Sequence, residues 1–315
     1  MAGVILVEIL DASAFLHGPV LFFYTSAITG NPLKINIKNT LHFSPFVVIS
    51  ILSTGLTNNN WEYLIEFNNV LIFLKFLVAL IYIVLSIILI QNYRKKITDV
   101  FSFTDQLELK WLSSILWGGI FLLVFGSINL ILNHFTSLDI PQYGGKYLNI
   151  AYSVSIIFLG YFGFRQTTIF IPSQFKNQMQ FIGQTNKDAD DKYGKSRLNK
   201  EFLESTSKRL IEFMEIEKPY IDNNLTLFIL AEQIGISENN LSQVINSKYQ
   251  INFFDFVNKY RVELVVEKLK KGEHKMSTLL GIAYDSGFNS KASFNRAFKK
   301  STGLTPSEFI KTNLN

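Results

Sequence analysis

The sequence predicts an all-helical chain in two parts: a front half of membrane helices and a polar, helical C-terminal part. Apolar residues make up 48% of the 315 residues and aromatic residues 14%, which is high for a chain exposed to water throughout. Residues 1–172 hold only 9 Lys and Arg and 8 Asp and Glu, whereas residues 173–315 hold 21 and 17. This division of charge is typical of a lipid-embedded segment followed by a water-exposed one.

Long uncharged runs indicate the membrane helices. Residues 111–132 carry no charge and residues 70–90 carry only Lys75, so both can cross a bilayer, which takes about 20 apolar residues. Residues 147–164 form a further candidate. Residues 12–29 and 40–56 are shorter and contain proline, and re-entrant or interfacial helices are the alternative for them. We therefore expect a transmembrane domain over residues 1–169 with about five spans.

The charges of the connecting segments indicate an orientation. With five spans, the segments after the first, third and fifth lie on the same side of the membrane as the C-terminus. Those segments hold seven basic residues, whereas the opposite segments hold one, Lys146. Since basic residues collect on the cytoplasmic side, we expect the C-terminus in the cytoplasm. The seven residues are Lys34, Lys38, Arg94, Lys95, Lys96, Lys110 and Arg165.

Residues 170–217 are predicted to connect the two parts. Residues 173–200 are rich in Asn, Gln, Asp and Lys and hold few apolar groups, a composition that predicts a flexible linker. Apolar residues at helical spacing follow, from Leu198 to Met214, and predict an amphipathic helix. Two interpretations stay open: the helix packs on the C-terminal part, or it forms a contact between two copies of the chain.

Two stretches near the C-terminus repeat one pattern. They run over residues 229–245 and 280–298. In each, an alanine (Ala231, Ala283) is followed four residues later by a glycine (Gly235, Gly287), then by an apolar residue, a Ser or Asn that can cap a helix, and a second short helix. The alanine permits a close helix crossing and the glycine a left-handed turn. The pattern predicts two helix-turn-helix units, which suit successive major-groove segments of DNA roughly 34 Å apart.

The second repeat resembles the signature of the AraC/XylS family of bacterial transcription regulators. Residues 282–300 show the family's Gly-Phe turn and its Phe-x-Arg-x-Phe-Lys helix, and residues 303–306 show its Gly-x-Thr-Pro exit. Phe309 and Ile310 stand where the family usually has Tyr-Arg, so one arginine is missing. The resemblance covers residues 222–311 and implies a double helix-turn-helix, homeodomain-like DNA-binding domain, expected over residues 218–315.

A long buried helix is predicted between the repeats, over residues 253–271, because apolar residues recur there at helical spacing. The family resemblance implies that Asn258 and Arg261 are structural links of this helix. For Arg261, we weigh a DNA contact against an internal salt bridge to Glu232 or Glu267, and we favour the salt bridge.

The two units differ in charge. Residues 222–247 hold no Lys or Arg, whereas residues 248–311 hold 12 basic and 6 acidic residues, so we expect the second unit to neutralise most of the DNA phosphates. Asn and Gln suit adenine, and Arg suits guanine. Alignment with the family motif implies base-facing residues Asn239, Ser242, Gln243 and Asn246 in the first unit and Lys291, Ala292, Asn295 and Arg296 in the second, with Lys299 and Lys300 on phosphates. A solvated helix face is the alternative for each.

No catalytic pattern competes with DNA binding. The four histidines lack metal-ligand spacing, and no nucleophile motif or phosphate-binding glycine loop is present. The chain has no cysteine, which excludes disulfides and thiolate metal sites. We expect neither enzymatic activity nor a metal or cofactor. A weaker hypothesis is a ligand pocket inside the membrane, formed by His17, Tyr24, His42 and Asn129.

The sequence therefore predicts a sequence-specific DNA-binding transcription regulator that is tethered to the bacterial inner membrane by several spans. The expected partners are double-stranded DNA and the lipid bilayer. RNA polymerase, a second copy of the chain and a small-molecule signal are left open. The alternative is a membrane receptor or transporter-like protein whose C-terminal helices bind a protein partner, which the basic second unit disfavours.

Overall fold

The computed structural model describes residues 12–56, 61–135, 154, 157–163 and 200–314, without residues 31, 35 and 106. Every longer regular element in these residues is a helix, which confirms the all-helical prediction there, and one isolated antiparallel bridge joins Phe101 to Thr226. The chain divides into two compact units. The first comprises Met1–Tyr93 and Leu109–Ile171, and the second comprises Arg94–Glu108 and Pro172–Asn315.

The first unit contains most of the apolar helices. They are α1 (Ala14–Ile28), α2 (Ile37–Thr40), α3 (Ser44–Leu56), α4 (Trp61–Val100) and α5 (Lys110–Phe135). The last turns of α4, from Arg94 onwards, belong to the second unit.

Two of these helices are long and apolar enough to cross a membrane, where about five spans were expected. They are Val70–Val100 within α4 and Lys110–Ile128 within α5, and only 22% of each apolar window is buried. The expected count is corrected because α1 has 15 residues, or roughly 22 Å, whereas the bilayer core is about 30 Å thick. The apolar helix Ile37–Leu52 is also too short. The expected span at residues 147–164 lies largely outside the described residues.

Close contacts join α1, α4 and the turn before α3. A side chain at Gly18 would meet the Tyr82 ring at 2.7 Å, so glycine permits α1 to lie against α4. The His42 Nδ1 atom lies 2.8 Å from the Tyr82 hydroxyl, at hydrogen-bond distance. His17 is exposed, and the Asn129 side chain lies outside the described residues. The membrane ligand pocket therefore stays a prediction.

The second unit contains seven α-helices in its described residues after 199, together with two short 3₁₀ helices, Pro219–Ile221 and Glu273–Lys275. The α-helices are α6 (Lys200–Ile216), α7 (Leu227–Ile234), α8 (Glu238–Tyr249), α9 (Phe253–Lys270), α10 (Leu279–Tyr284), α11 (Lys291–Thr302) and α12 (Pro306–Asn313). Their starts follow the capping residues in the sequence. The Ser237 hydroxyl accepts from the Asn240 amide at the start of α8, and the Ser290 hydroxyl accepts from the Ser293 amide at the start of α11.

Helix α9 joins two hydrophobic clusters. Its N-terminal half packs with α6, α7 and α8 through residues that include Leu210, Met214, Leu230, Leu241, Val244, Phe256 and Val257. Its C-terminal half packs with α10, α11 and α12 through residues that include Val265, Leu269, Ile282, Phe294, Phe298 and Phe309. Because Leu210 and Met214 are fully buried in the first cluster, α6 packs on this unit, as the first of the two interpretations proposed.

Candidate DNA-binding surface

Two helix-turn-helix units occupy the positions that the repeated pattern predicts, α7–α8 and α10–α11. Ala231 and Ala283 are buried where the helices cross. Gly235 and Gly287 have φ angles of +75° and +91°, in the left-handed region that favours glycine. A Cβ atom at Gly287 would lie 2.2 Å from the Tyr220 carbonyl oxygen, so this position requires glycine for space as well as for conformation.

Helix α11 presents one polar, basic face. Its buried residues are Ser293, Phe294, Ala297 and Phe298, which face the second hydrophobic cluster. The buried residues form two adjacent pairs along the helix. The six residues predicted to contact DNA lie before, between and after these pairs, and all six are exposed. They are Lys291, Ala292, Asn295, Arg296, Lys299 and Lys300. Their spacing of about four residues places them on a common face of the helix.

Helix α8 presents a polar face without a basic residue among its predicted DNA contacts. Asn239 and Asn246 are exposed, and Ser242 and Gln243 are partly exposed. The side-chain amide of Asn246 donates a hydrogen bond to the Ser242 hydroxyl, at 3.4 Å. Amide and hydroxyl groups can donate to bases and accept from them, so this face can distinguish base pairs while contributing little to phosphate neutralisation.

Arg261 is an internal residue of the domain. It is 1% exposed, which excludes a direct DNA contact and agrees with the structural role that the family resemblance implied. The expected salt bridge to Glu232 or Glu267 is wrong, however: Glu267 pairs with Lys271 at 2.6 Å. The reason is geometric, because a planar guanidinium with five N–H donors can be satisfied by converging neutral oxygens.

The acceptors of Arg261 come from three parts of the chain. Its guanidinium donates to the carbonyl oxygens of Tyr220 (2.7 Å) and Asp222 (2.8 Å), to the Asn258 side chain (3.3 Å), and to both the carbonyl oxygen (2.9 Å) and hydroxyl (3.0 Å) of Ser102. Burial lowers the pKa of Arg261 to about 9, while the Asp222 carboxylate acts to raise it. The group is therefore still protonated at neutral pH.

Arg296 contacts two carboxylates that the sequence did not place near it. Its guanidinium lies 3.3 Å from Asp105 and 3.2 Å from Glu108. It also lies 3.4 Å from the Thr104 hydroxyl and over the Phe254 ring, 5.9 Å from the ring centroid. Lys300, the candidate phosphate contact, pairs with Asp255 at 2.7 Å. Two of the predicted DNA contacts are thus paired with acidic groups of the same unit.

Residues 101–108 were expected only to connect two spans, and their contacts with the DNA-binding domain were not predicted. One signal was present: Phe101 and Phe103 alternate with Ser102 and Thr104. An alternating apolar pattern is typical of an extended segment with one buried side. The structure buries all four side chains, so Ser102 and Thr104 lie inside as well, which the alternation does not predict.

The comparisons with known proteins concern the C-terminal domain. Residues 230–312 match the family described as a helix-turn-helix domain. Uncharacterized HTH-type transcriptional regulators of Staphylococcus aureus strains COL and MSSA476 are 33% identical over 90 residues, or 29% of this chain. The aligned part of this chain spans only 12% of the length of these relatives.

A solved structure also matches. It is a protein of unknown function from Listeria innocua, 28% identical, and the match covers 33% of this chain and 93% of that chain, with a TM-score of 0.29. The sequence matches fall on the part of the chain that forms the two helix-turn-helix units. The C-terminal part of this chain therefore contains a helix-turn-helix domain of the AraC type.

Proposed function

We propose that the chain is a sequence-specific DNA-binding transcription regulator held at the bacterial inner membrane. The observation that carries this proposal is the pair of helix-turn-helix units, in which α11 exposes a basic face and α8 a polar one. Two such helices can enter successive major-groove segments of one duplex.

The two helices have different tasks in this proposal. Arg296 in α11 reads guanine, while Lys299 and Lys300 contact phosphates. In α8, Asn239, Ser242, Gln243 and Asn246 read bases through hydrogen bonds. Lys291, Ala292 and Asn295 complete the base-facing surface of α11.

The two candidate spans in α4 and α5 support a membrane tether. Large apolar residues, among them Phe73, Val84, Phe121 and Ile131, are exposed on these helices. An exposed apolar surface of this length suits lipid better than water. The C-terminal domain then lies in the cytoplasm, where DNA is accessible.

DNA binding can be tested with the full-length chain in lipid nanodiscs. A random pool of duplexes, with a variable region of about 30 base pairs to cover two major-groove segments, is selected for retention. We expect enrichment of two short sequence elements about one helical turn apart. Arg296→Ala should lose preference at one position, whereas Lys208→Ala, on the exposed side of α6, should retain the wild-type preference. Absence of any enriched sequence would contradict the proposal.

A further inference from the structure

Residues 101–108 link α4 to α5 and dock on the DNA-binding domain. We name this segment the acidic loop; residue 106 lies outside its described part. Phe101 forms an antiparallel bridge with Thr226. The Ser102 amide and hydroxyl both donate to the Leu225 carbonyl oxygen, at 3.3 and 2.7 Å. The loop therefore joins the domain through backbone pairing at the start of α7.

The first half of the loop is built into the domain's interior. Phe101, Ser102, Phe103 and Thr104 are all buried. Ser102 provides two of the acceptors that satisfy the buried guanidinium of Arg261. Because leaving a buried charge unsatisfied is costly, we expect this half to stay docked on the domain, and we call it the anchor.

The second half of the loop lies against α11. Asp105 contacts one terminal nitrogen of Arg296, and Glu108 contacts the other. The Ser290 hydroxyl, at the N-terminus of α11, donates to Asp105, and the Thr104 hydroxyl donates to Glu108 at 2.7 Å. Both terminal nitrogens of Arg296 are thereby engaged with carboxylates.

Reading guanine requires the same N–H groups. Arginine contacts the O6 and N7 atoms of guanine in bidentate fashion through its guanidinium N–H groups, and carboxylates beside it repel the DNA phosphates. We propose that the second half of the acidic loop competes with DNA for Arg296, so that DNA binding requires Asp105 and Glu108 to withdraw while the anchor stays docked. This inference rests on the proposed DNA-binding function.

The competition is weak enough to be reversible. The Arg296 side chain is 48% exposed, whereas the Asp105 and Glu108 side chains are 15% and 14% exposed. Since one partner of each pair is open to water, each ion pair is partly screened and contributes a modest amount. The loop is also the covalent connection between the two candidate spans. The loop is therefore a negative regulator of the second recognition helix.

The test compares neutral variants of equal size and charge change. Asp105→Asn with Glu108→Gln removes both carboxylates from Arg296, whereas Glu204→Gln with Glu212→Gln removes two exposed carboxylates from α6. Affinity for a duplex selected by the wild-type chain is measured on full-length protein in nanodiscs. We expect the loop variant to bind about three- to tenfold more tightly than the α6 variant.

Other outcomes separate the two proposals. If the wild-type chain retains a selected duplex but the loop variant binds no more tightly than the α6 variant, the competition is wrong and the carboxylates orient Arg296 instead. If neither the wild-type chain nor the loop variant retains any duplex, the proposed function fails and the competition fails with it.

A second measurement does not depend on a variant that folds. Hydrogen exchange of the wild-type chain is compared with and without the selected duplex. Competition requires the amides of Leu107 and Glu108, which donate to the Thr104 carbonyl oxygen at 2.8 and 3.0 Å, to exchange faster when DNA is bound, while the Ser102 amide keeps its protection. Increased protection of residues 107–108 by DNA would overturn the proposal.

Discussion

At the scale of single residues, Arg261 shows how a charged side chain becomes part of a protein interior. Its structural role was implied by the family resemblance, but its partners could not be predicted, because Ser102 lies 159 positions away in the sequence. Periodicity predicts that a position is buried. It does not predict which distant oxygens converge there.

Replacing Arg261 by lysine should destabilise the domain. Lysine keeps the charge but has a single donor group in place of the planar fork that reaches Tyr220, Asp222 and Ser102. We expect a loss of about 2–3 kcal/mol in the free energy of unfolding, measured by native-state hydrogen exchange of α9. Lys259→Arg, on the exposed side of the same helix, is the control. Equal protection in both variants would show that the fork is dispensable.

Gly287 and Gly303 form a matched pair for separating backbone strain from steric conflict. Both have positive φ angles, +91° and +79°, but a Cβ atom at Gly287 would strike the Tyr220 carbonyl oxygen, whereas one at Gly303 would meet nothing within 4 Å. Gly303→Ala should cost about 1 kcal/mol, from conformation alone. Gly287→Ala should cost clearly more, measured by the same hydrogen exchange. Equal losses would mean that Tyr220 moves aside without cost.

At the scale of helices, the local pattern predicted more than the composition did. The alanine and glycine spacing places both turns correctly, because a helix-turn-helix unit is set by residues close together in the chain. Uncharged runs overestimated the spans in the described residues, because apolar composition does not show where a helix begins and ends. Helix α1, at 15 residues, is apolar but short.

The charge difference between α8 and α11 predicts different salt dependence of DNA binding. Lys299→Ala should reduce the slope of log affinity against log salt concentration by about one, as for the loss of one phosphate contact. Lys300→Ala should reduce it by less, because Asp255 already neutralises Lys300 in the free protein. Gln243→Ala should change base preference with almost no effect on the slope, because no counterion release depends on it.

These slopes come from titrations of selected and scrambled duplexes at several salt concentrations. If Gln243→Ala alters the slope as much as Lys299→Ala, the assignment of phosphate contacts to α11 is wrong. A slope for Lys300→Ala equal to that for Lys299→Ala would show that the pair with Asp255 has no influence on binding.

At the scale of the whole molecule, the acidic loop constrains the membrane topology. The loop belongs to the same compact unit as the DNA-binding domain, so in the membrane-tethered protein that we propose both would lie on one side of the bilayer. If α5 crosses the bilayer, the chain has to cross again before residue 200. The predicted span at residues 147–164 would provide that crossing, in agreement with the distribution of basic residues in the connecting segments.

Reporter fusions test this topology. Fusions after Glu108 and after Gln166 should report the cytoplasm, and a fusion near Gln142 should report the opposite side. The fusion after Glu108 serves as the internal reference, since it retains Arg94, Lys95 and Lys96. A cytoplasmic signal at Gln142 would mean that α5 does not cross the membrane.

The position of Ser102 also affects which fragment of the protein can be studied in place of the whole chain. A soluble fragment beginning at residue 200 is the natural choice for crystallisation or binding assays, and it would lack the whole acidic loop. Arg261 would lose two of its acceptors while Arg296 would lose both carboxylates. Such a fragment should melt at a lower temperature than the intact domain and yet hold DNA more tightly. Its affinity would then overstate that of the full-length protein, because the truncation removes a structural support and an inhibitor together.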